Sequence, residues 1–331
     1  MTNKKNVFFS ILLIFLILTT SGCIKFSGSE TVNNDSGLFK TINKGDVWAQ
    51  RVLMLTTSGK PKSLGAININ ALVMDPSDNK ALYWGSDDSG LLYTYDGAAG
   101  WQSVSSLGQI PINAVAVDYK SKCVIYASSG NKLMKSIDCS RTWPQIYYDN
   151  DLKIKINSIA VDYNDEKNIY IGNSRGDVIK SYDAGASWQT VARFKNDVQE
   201  IILSPQDSRI IFAATVSKGI QRSNDGGNTW VDLSENLKDY SGAKNFKDLV
   251  VSPLKSGLLF LASGYGLLKS EDNGDSWTSL TLITEGKTSA INSMAVSQKN
   301  ENEIYYVTST TFNVSSLTEA FTTPTVPNSL V

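Results

Sequence analysis

Few side chains in this 331-residue chain can do chemistry, and histidine is not among them, because the sequence has none. That removes imidazole general bases, Ser-His-Asp and Cys-His nucleophiles, and most zinc sites. Carboxylates remain. Glu200 and Asp248 stand at one position of two related apolar segments, EIILS and DLVVS. Two carboxyl groups facing each other across a funnel about 5–10 Å wide could hydrolyse a glycosidic bond. The residue before the apolar run is polar in each of six such segments: Asn70, Asn113, Asn157, Gln199, Lys247 and Asn292. These polar residues could form a binding face with Glu200, Asp248, Arg175 and Tyr265, or they could only satisfy backbone groups at strand ends. Exposed Tyr beside charge suits a protein or glycan partner. Formal net charge is −1, so nothing favours nucleic acid.

What must position these residues is a repeat. SNDGGNTW (223–230) recurs as SEDNGDSW (270–277), SYDAGASW (181–188) and SIDCSRTW (136–143). Weaker copies are TYDGAAGW (94–101) and TINKGDVW (41–48). Six of the seven tryptophans, Trp48, Trp101, Trp143, Trp188, Trp230 and Trp277, end these copies, and the last five are 42, 45, 42 and 47 residues apart. That period points to a propeller or another array. Within each copy the residue types fit a tight turn. The carboxylate of Asp96, Asp138, Asp183, Asp225 or Asp272 (Asn43 in the first copy) accepts backbone N–H groups. Gly185, Gly227 and Gly274 permit positive φ. The Trp opens the next strand and fills the gap between neighbouring sheets.

On these residues the stretch is identified as an Asp-box, or BNR repeat. The chain resembles the sialidase-like superfamily of propellers, which includes sialidases, sortilin-type receptors and photosystem II assembly factors. The resemblance covers roughly 37–323 and implies the fold, with the boxes structural and on the outer rim. It also implies what a sialidase would need: three arginines around a substrate carboxylate, a Tyr–Glu pair and an acid. Only six Arg exist. Arg141, Arg209 and Arg222 fall at the box end, Arg51 on an outer strand, and only Arg175 and Arg193 near the other face. The expectation is therefore a protein-binding or assembly scaffold that catalyses nothing and needs no cofactor or metal. The rival is a glycan-binding protein or glycoside hydrolase of the same superfamily.

Each repeat reads as four strands, A to D, so the fold class is all-β: a β-propeller of four-stranded blades over 37–327. Five repeats are complete, a sixth begins at Ile291, and SGLFKTINKGDVW (36–48) aligns with the outer half of a blade. A seven-blade plan with one incomplete blade is expected, the alternative being six blades closed by the N-terminal strands. Cys123 opens strand B of the second repeat and Cys139 follows its strand C. Pairing about a turn at Gly130-Asn131 would bring them opposite, which makes a disulfide geometrically reasonable.

Residues 1–22 carry Lys4 and Lys5 before an apolar run, Val7–Leu18, as a secretory signal does. The run ends in LTTSGC, which resembles a bacterial lipobox, with Cys23 as the lipidated residue. Residues 23–36 read as a flexible tether. The expected protein is monomeric, extracytoplasmic and anchored to a bacterial membrane by lipid, without spanning it. Cys23→Ala should therefore release the protein from the membrane fraction; a processed, membrane-retained variant would rule the anchor out.

Overall fold

The computed structural model describes residues 37–56, 59–280, 291–308 and the backbone of 312–316; Cys23, the signal, the tether and the tail after 316 lie outside them. Five antiparallel four-stranded sheets follow one another along the chain. Their inner strands are Ile69–Asp75, Ala114–Val117, Ile156–Val161, Val198–Leu203 and Phe246–Val251. A sixth sheet has three strands, Ile291–Val296, Glu303–Thr308 and Phe312–Ser316. Two short ribbons precede them, Phe39–Thr41 with Trp48–Gln50 and Leu53–Met54 with Lys62–Ser63. The fold is an all-β β-propeller. The expected blade count is not confirmed, because the described residues hold five four-stranded blades rather than seven or six. The ribbon 39–50 pairs with itself and not with the sixth sheet, which has a third strand of its own. At the ribbon's turn, Lys44 Nζ meets Glu303 of the sixth sheet at 2.9 Å.

Burial explains the strand sequences. The second strands Ile169–Asn173, Ile211–Thr215 and Leu259–Ser263 are buried along their whole length. Such runs are apolar on both faces because a sheet lies on either side. The core is thus a series of layers between sheets. Tyr83, Ile112, Val115 and Ile125 fill the first gap; Tyr126, Leu133, Ile156 and Ile171 fill the second. Tryptophans pack in the same gaps: Trp143 in the first, Trp188 in the second, Trp230 in the third and Trp277 in the fourth. Trp101, fully buried, packs on the N-terminal segment and donates to the Arg51 carbonyl at 2.8 Å.

The repeated turn is a closed hydrogen-bond knot. In its fullest copy, Asp225 Oδ1 accepts the N–H groups of Asn228 (3.0 Å) and Thr229 (2.9 Å), and Oδ2 accepts Thr229 Oγ1 (2.6 Å). Ser223 Oγ donates to Asp225 at 2.8 Å and accepts the Gly227 N–H at 2.8 Å. Asp138, Asp183 and Asp272 repeat the N–H and hydroxyl bonds to the residue four on, Asp96 accepts only an N–H from that residue because Gly100 stands there, and neutral Asn43 accepts the Val47 N–H at 2.9 Å. Two successive left-handed residues follow each Asp or Asn, for example Ala184 (φ +58°) and Gly185 (φ +98°). At φ +98° Gly185 is in the region that favours glycine, and a Cβ there would also press on Ile146 Cδ1 of the preceding sheet at 2.7 Å; Ala98 and Ser140 hold the same position in other copies at φ +70° and +68°.

A cation joins four of these turns to the strands before them. Lys40 Nζ donates to the Gly97 carbonyl (3.0 Å), Lys135 to Ala184 (2.9 Å), Lys180 to Gly226 (2.8 Å) and Arg222 to Asn273 (2.8 Å). Between the first and second blades the corresponding residue is Tyr93, which bonds Gln102 of its own blade. A cavity of about 330 Å³ opens near that junction, lined by Asp78, Ala81, Tyr95, Lys122, Cys139 and Arg141. The turn there is held by a Cys123–Cys139 disulfide, with Cα atoms 4.0 Å apart. Ile125 faces Ser136, one residue off the register expected from sequence; left-handed Cys139 and Ser140 bend the chain back towards Cys123.

Two predictions follow from the turns. Closing a loop with a sequence separation of 16 contributes about 3 kcal/mol by restricting the unfolded chain. Reduction, Cys123→Ser and Cys139→Ser should therefore lower the melting temperature to a similar extent; unchanged melting would refute a stabilising bridge. The hydroxyl and amide donors, Thr229 foremost, hold Asp225 down at about 2, and Thr142 and Ser187 do the same for Asp138 and Asp183. An acid held below its unfolded-chain value stabilises the fold above that value and stops doing so as pH falls through the folded value. Melting temperature should fall between about pH 4 and pH 2, and Asp225→Ala should make that limb shallower.

Candidate functional site

The inner strands position the polar residues at one mouth of the propeller. In an antiparallel sheet the innermost strand turns every second N–H and C=O away from its neighbour. Side chains from the preceding blade take up some of these groups. Ser158 Oγ accepts the Ile201 N–H at 2.8 Å. Asp248 Oδ2 accepts the Met294 N–H at 2.7 Å and Ser293 Oγ at 2.8 Å. Glu200 takes the equivalent bond from the Leu249 N–H. Ser158, Glu200 and Asp248 thus occupy one position of three consecutive blades, and each latches onto the next blade.

The latch explains the charge state of the two carboxyls. Burial, then the neighbouring Asp248 charge, pushes Glu200 up to about 8 against the single Leu249 bond. Asp248 is also raised by burial, opposed by its bonds to Met294 and Ser293. At neutral pH Glu200 is therefore predominantly a protonated acid beside a second carboxyl group, which is held by the Met294 and Leu249 N–H groups and the Ser293 hydroxyl. An acid beside a second carboxyl group is one part of what glycosidic cleavage uses, the other being a set distance between the two.

The rest of the expected face is brought together only in part. Asn157 Nδ2 donates to Asp197 (2.6 Å) and the Val198 carbonyl (3.3 Å) of the next blade, and Asn113 Oδ1 accepts the Gly130 N–H (2.8 Å). Both satisfy neighbouring groups, the second of the roles expected for them. Gln199 bonds Asp197, and Lys247 is exposed. Arg175 is already engaged by Asp149 (2.9 Å) and Asp177 (3.2 Å), with Asp151 at 3.9 Å. Tyr265 stacks edge-on against Tyr240, with ring centroids 5.1 Å apart. No group of acidic or cysteine ligands among the described residues is arranged to hold a metal ion. Sequence reasoning gave no role to Tyr119 and Tyr163 at the opposite mouth, where they meet with ring centroids 4.0 Å apart. The available signal was Tyr at the same place, after the strand-ending Asp, in two consecutive repeats.

No protein-family profile matches the chain. A xyloglucanase from a Paenibacillus species is 23% identical over 249 residues, covering 61% of this chain and 24% of that protein. Among solved structures, the GH74 enzyme of Niastella koreensis superposes with a TM-score of 0.61 at 16% identity, covering 74% of this chain and 44% of that one. YCF48, solved bound to D1 peptide, gives a TM-score of 0.58 at 16% identity, covering 76% of this chain and 79% of YCF48. The chain thus spans about a quarter of the xyloglucanase it matches and less than half of the GH74 enzyme. The structural likenesses support the propeller fold. The expectation of a chain that catalyses nothing is overturned by the xyloglucanase match and the GH74 neighbour, because a carboxylate-based hydrolase needs no histidine.

Proposed function

We propose that the chain is an Asp-box propeller that binds a neutral polysaccharide of the xyloglucan class and hydrolyses it, held at a membrane surface by lipid on Cys23. The observation that carries the reading is the Glu200–Asp248 pair on adjacent inner strands, with Glu200 raised to about 8. Glu200 gives its proton to the glycosidic oxygen as the bond to the anomeric carbon breaks. Asp248, with Oδ2 held by Met294 and Ser293, offers Oδ1 to the attacking water or to the anomeric carbon itself. The xyloglucanase relative supports the substrate class. A second reading, capture of a peptide at the same mouth, is favoured by the match over 79% of YCF48.

The test is release of reducing ends from xyloglucan by the full chain. Glu200→Gln keeps an acceptor for Leu249 but has no acidic proton, so turnover should fall by about 10²–10⁴-fold; wild-type activity should decline as pH rises through about 8. A folded-state value above the unfolded one means that the native state loses stability as pH rises from about 4.5 to 8. The same variant should therefore melt higher than wild type at pH 8 and nearly equally at pH 4.5, by about 2–4 °C for each kcal/mol of relieved charge burial. Absence of both xyloglucan binding and cleavage, or cleavage that survives Glu200→Gln, would sink the proposal.

A further inference from the structure

The opposite mouth of the propeller holds a second, differently built cavity. It has a volume of about 210 Å³ and runs between the inner strands of the first four blades. Its walls include Val73, Pro76, Ala160 and Ile201, and every lining residue is apolar except Tyr119 and Tyr163. None is charged. The residue after the strand end is Pro76, Tyr119, Tyr163, Pro205 and Pro253 in five consecutive repeats, so the two aromatic members are neighbours. Their rings are tilted by 57°. Tyr119 keeps 37% of its surface accessible, yet its surroundings push its phenol well above the ordinary tyrosine range. It is accessible and enclosed at once, as the wall of a cavity is. Tyr163 is raised by burial as well, so both phenols are uncharged at neutral pH.

The backbone supplies what the side chains lack. The register of the second and third sheets turns the peptide groups of Val115, Val117, Ile159 and Val161 away from their neighbouring strands and towards the channel. The cavity therefore offers aromatic faces, a pair of phenol hydroxyls bonded to each other, and peptide donors and acceptors, and no lining residue is charged. Its volume is below the roughly 300–1,000 Å³ of a drug-sized pocket. We infer that this mouth binds a single neutral sugar ring, its C–H face against Tyr119 and Tyr163 and its hydroxyls on the inner-strand peptide groups. An acidic sugar or phosphate would find no counter-charge. Tyr119 and Tyr163 stand at the other end of the inner strands from Glu200 and Asp248, although the wall reaches Ile201 beside Glu200, and the site stands whether or not cleavage occurs there.

The experiment is saturation-transfer NMR on the full chain with D-glucose and D-xylose as probes, against D-glucuronate. Transfer from the neutral sugars with millimolar affinity, weakened about 10-fold or lost in Tyr119→Ala and absent for glucuronate, is expected. Tyr119 is partly exposed, so that variant should fold, as circular dichroism would check. Should it not fold, Tyr119→Phe keeps the ring and should retain most binding, whereas Tyr163→Ala removes the second ring and should weaken it. No transfer from either neutral sugar, equal transfer in wild type and Tyr119→Ala, or equal transfer from glucuronate would each overturn the inference.

Discussion

The sheets of the third to fifth blades are apolar on both faces, and water will not tolerate either face bare. A burial of this kind can be completed only by a neighbouring sheet, which has the same need. The layers of core follow from that constraint, and so does the placing of a tryptophan in each of four successive gaps. Apolar area has no direction, however. It holds sheets together without fixing how one slides on the next. The directional part comes from polar atoms at the two ends of each interface: Ser158, Glu200 and Asp248 on the inside, and Lys40, Lys135, Lys180 and Arg222 at the rim.

The inside contacts are where structure and chemistry meet. A serine suffices as a latch, as Ser158 shows, so a carboxyl group at the same place is more than the interface needs. Burial holds Glu200 in its acid form against one N–H, whereas its neighbour Asp248 has Met294, Ser293 and Leu249 as donors. The difference in hydrogen bonding separates two otherwise similar groups. Positions that break a repeat's own pattern against stability are where function is to be sought.

The turns were legible in the sequence because Ser, Asp, Gly and Trp each answer a separate local demand. The strands were legible from their apolar runs. The Cys123–Cys139 bridge was legible too, although the register that brings it about is one residue away from the one a simple hairpin gives. The latches were not, since each joins residues 43 to 49 positions apart through an N–H whose direction depends on the register of a whole sheet. Blade number resisted for a similar reason: the N-terminal ribbon carries a copy of the turn, yet among the described residues its two strands form a sheet of their own. The reading of catalysis failed differently. Absence of histidine removes imidazole chemistry, but says nothing against a pair of carboxyls tuned by burial.

The rim cations also divide the chain into units of unequal coupling. From the second blade to the fifth, each turn is tied to its predecessor by a charged hydrogen bond as well as by packing. Between the first and second blades that charged bond is missing, a cavity lies nearby, the disulfide stays within the turn's own blade, and a neutral bond from Ser106 Oγ to the Ser140 carbonyl (3.2 Å) crosses instead. In an array where each element feels only its neighbours, the weakest interface sets where cooperativity ends. Amide hydrogen exchange would then separate the chain into two foldons at this seam, with the first blade and the N-terminal ribbons opening together and the second to fifth blades exchanging as one slower body.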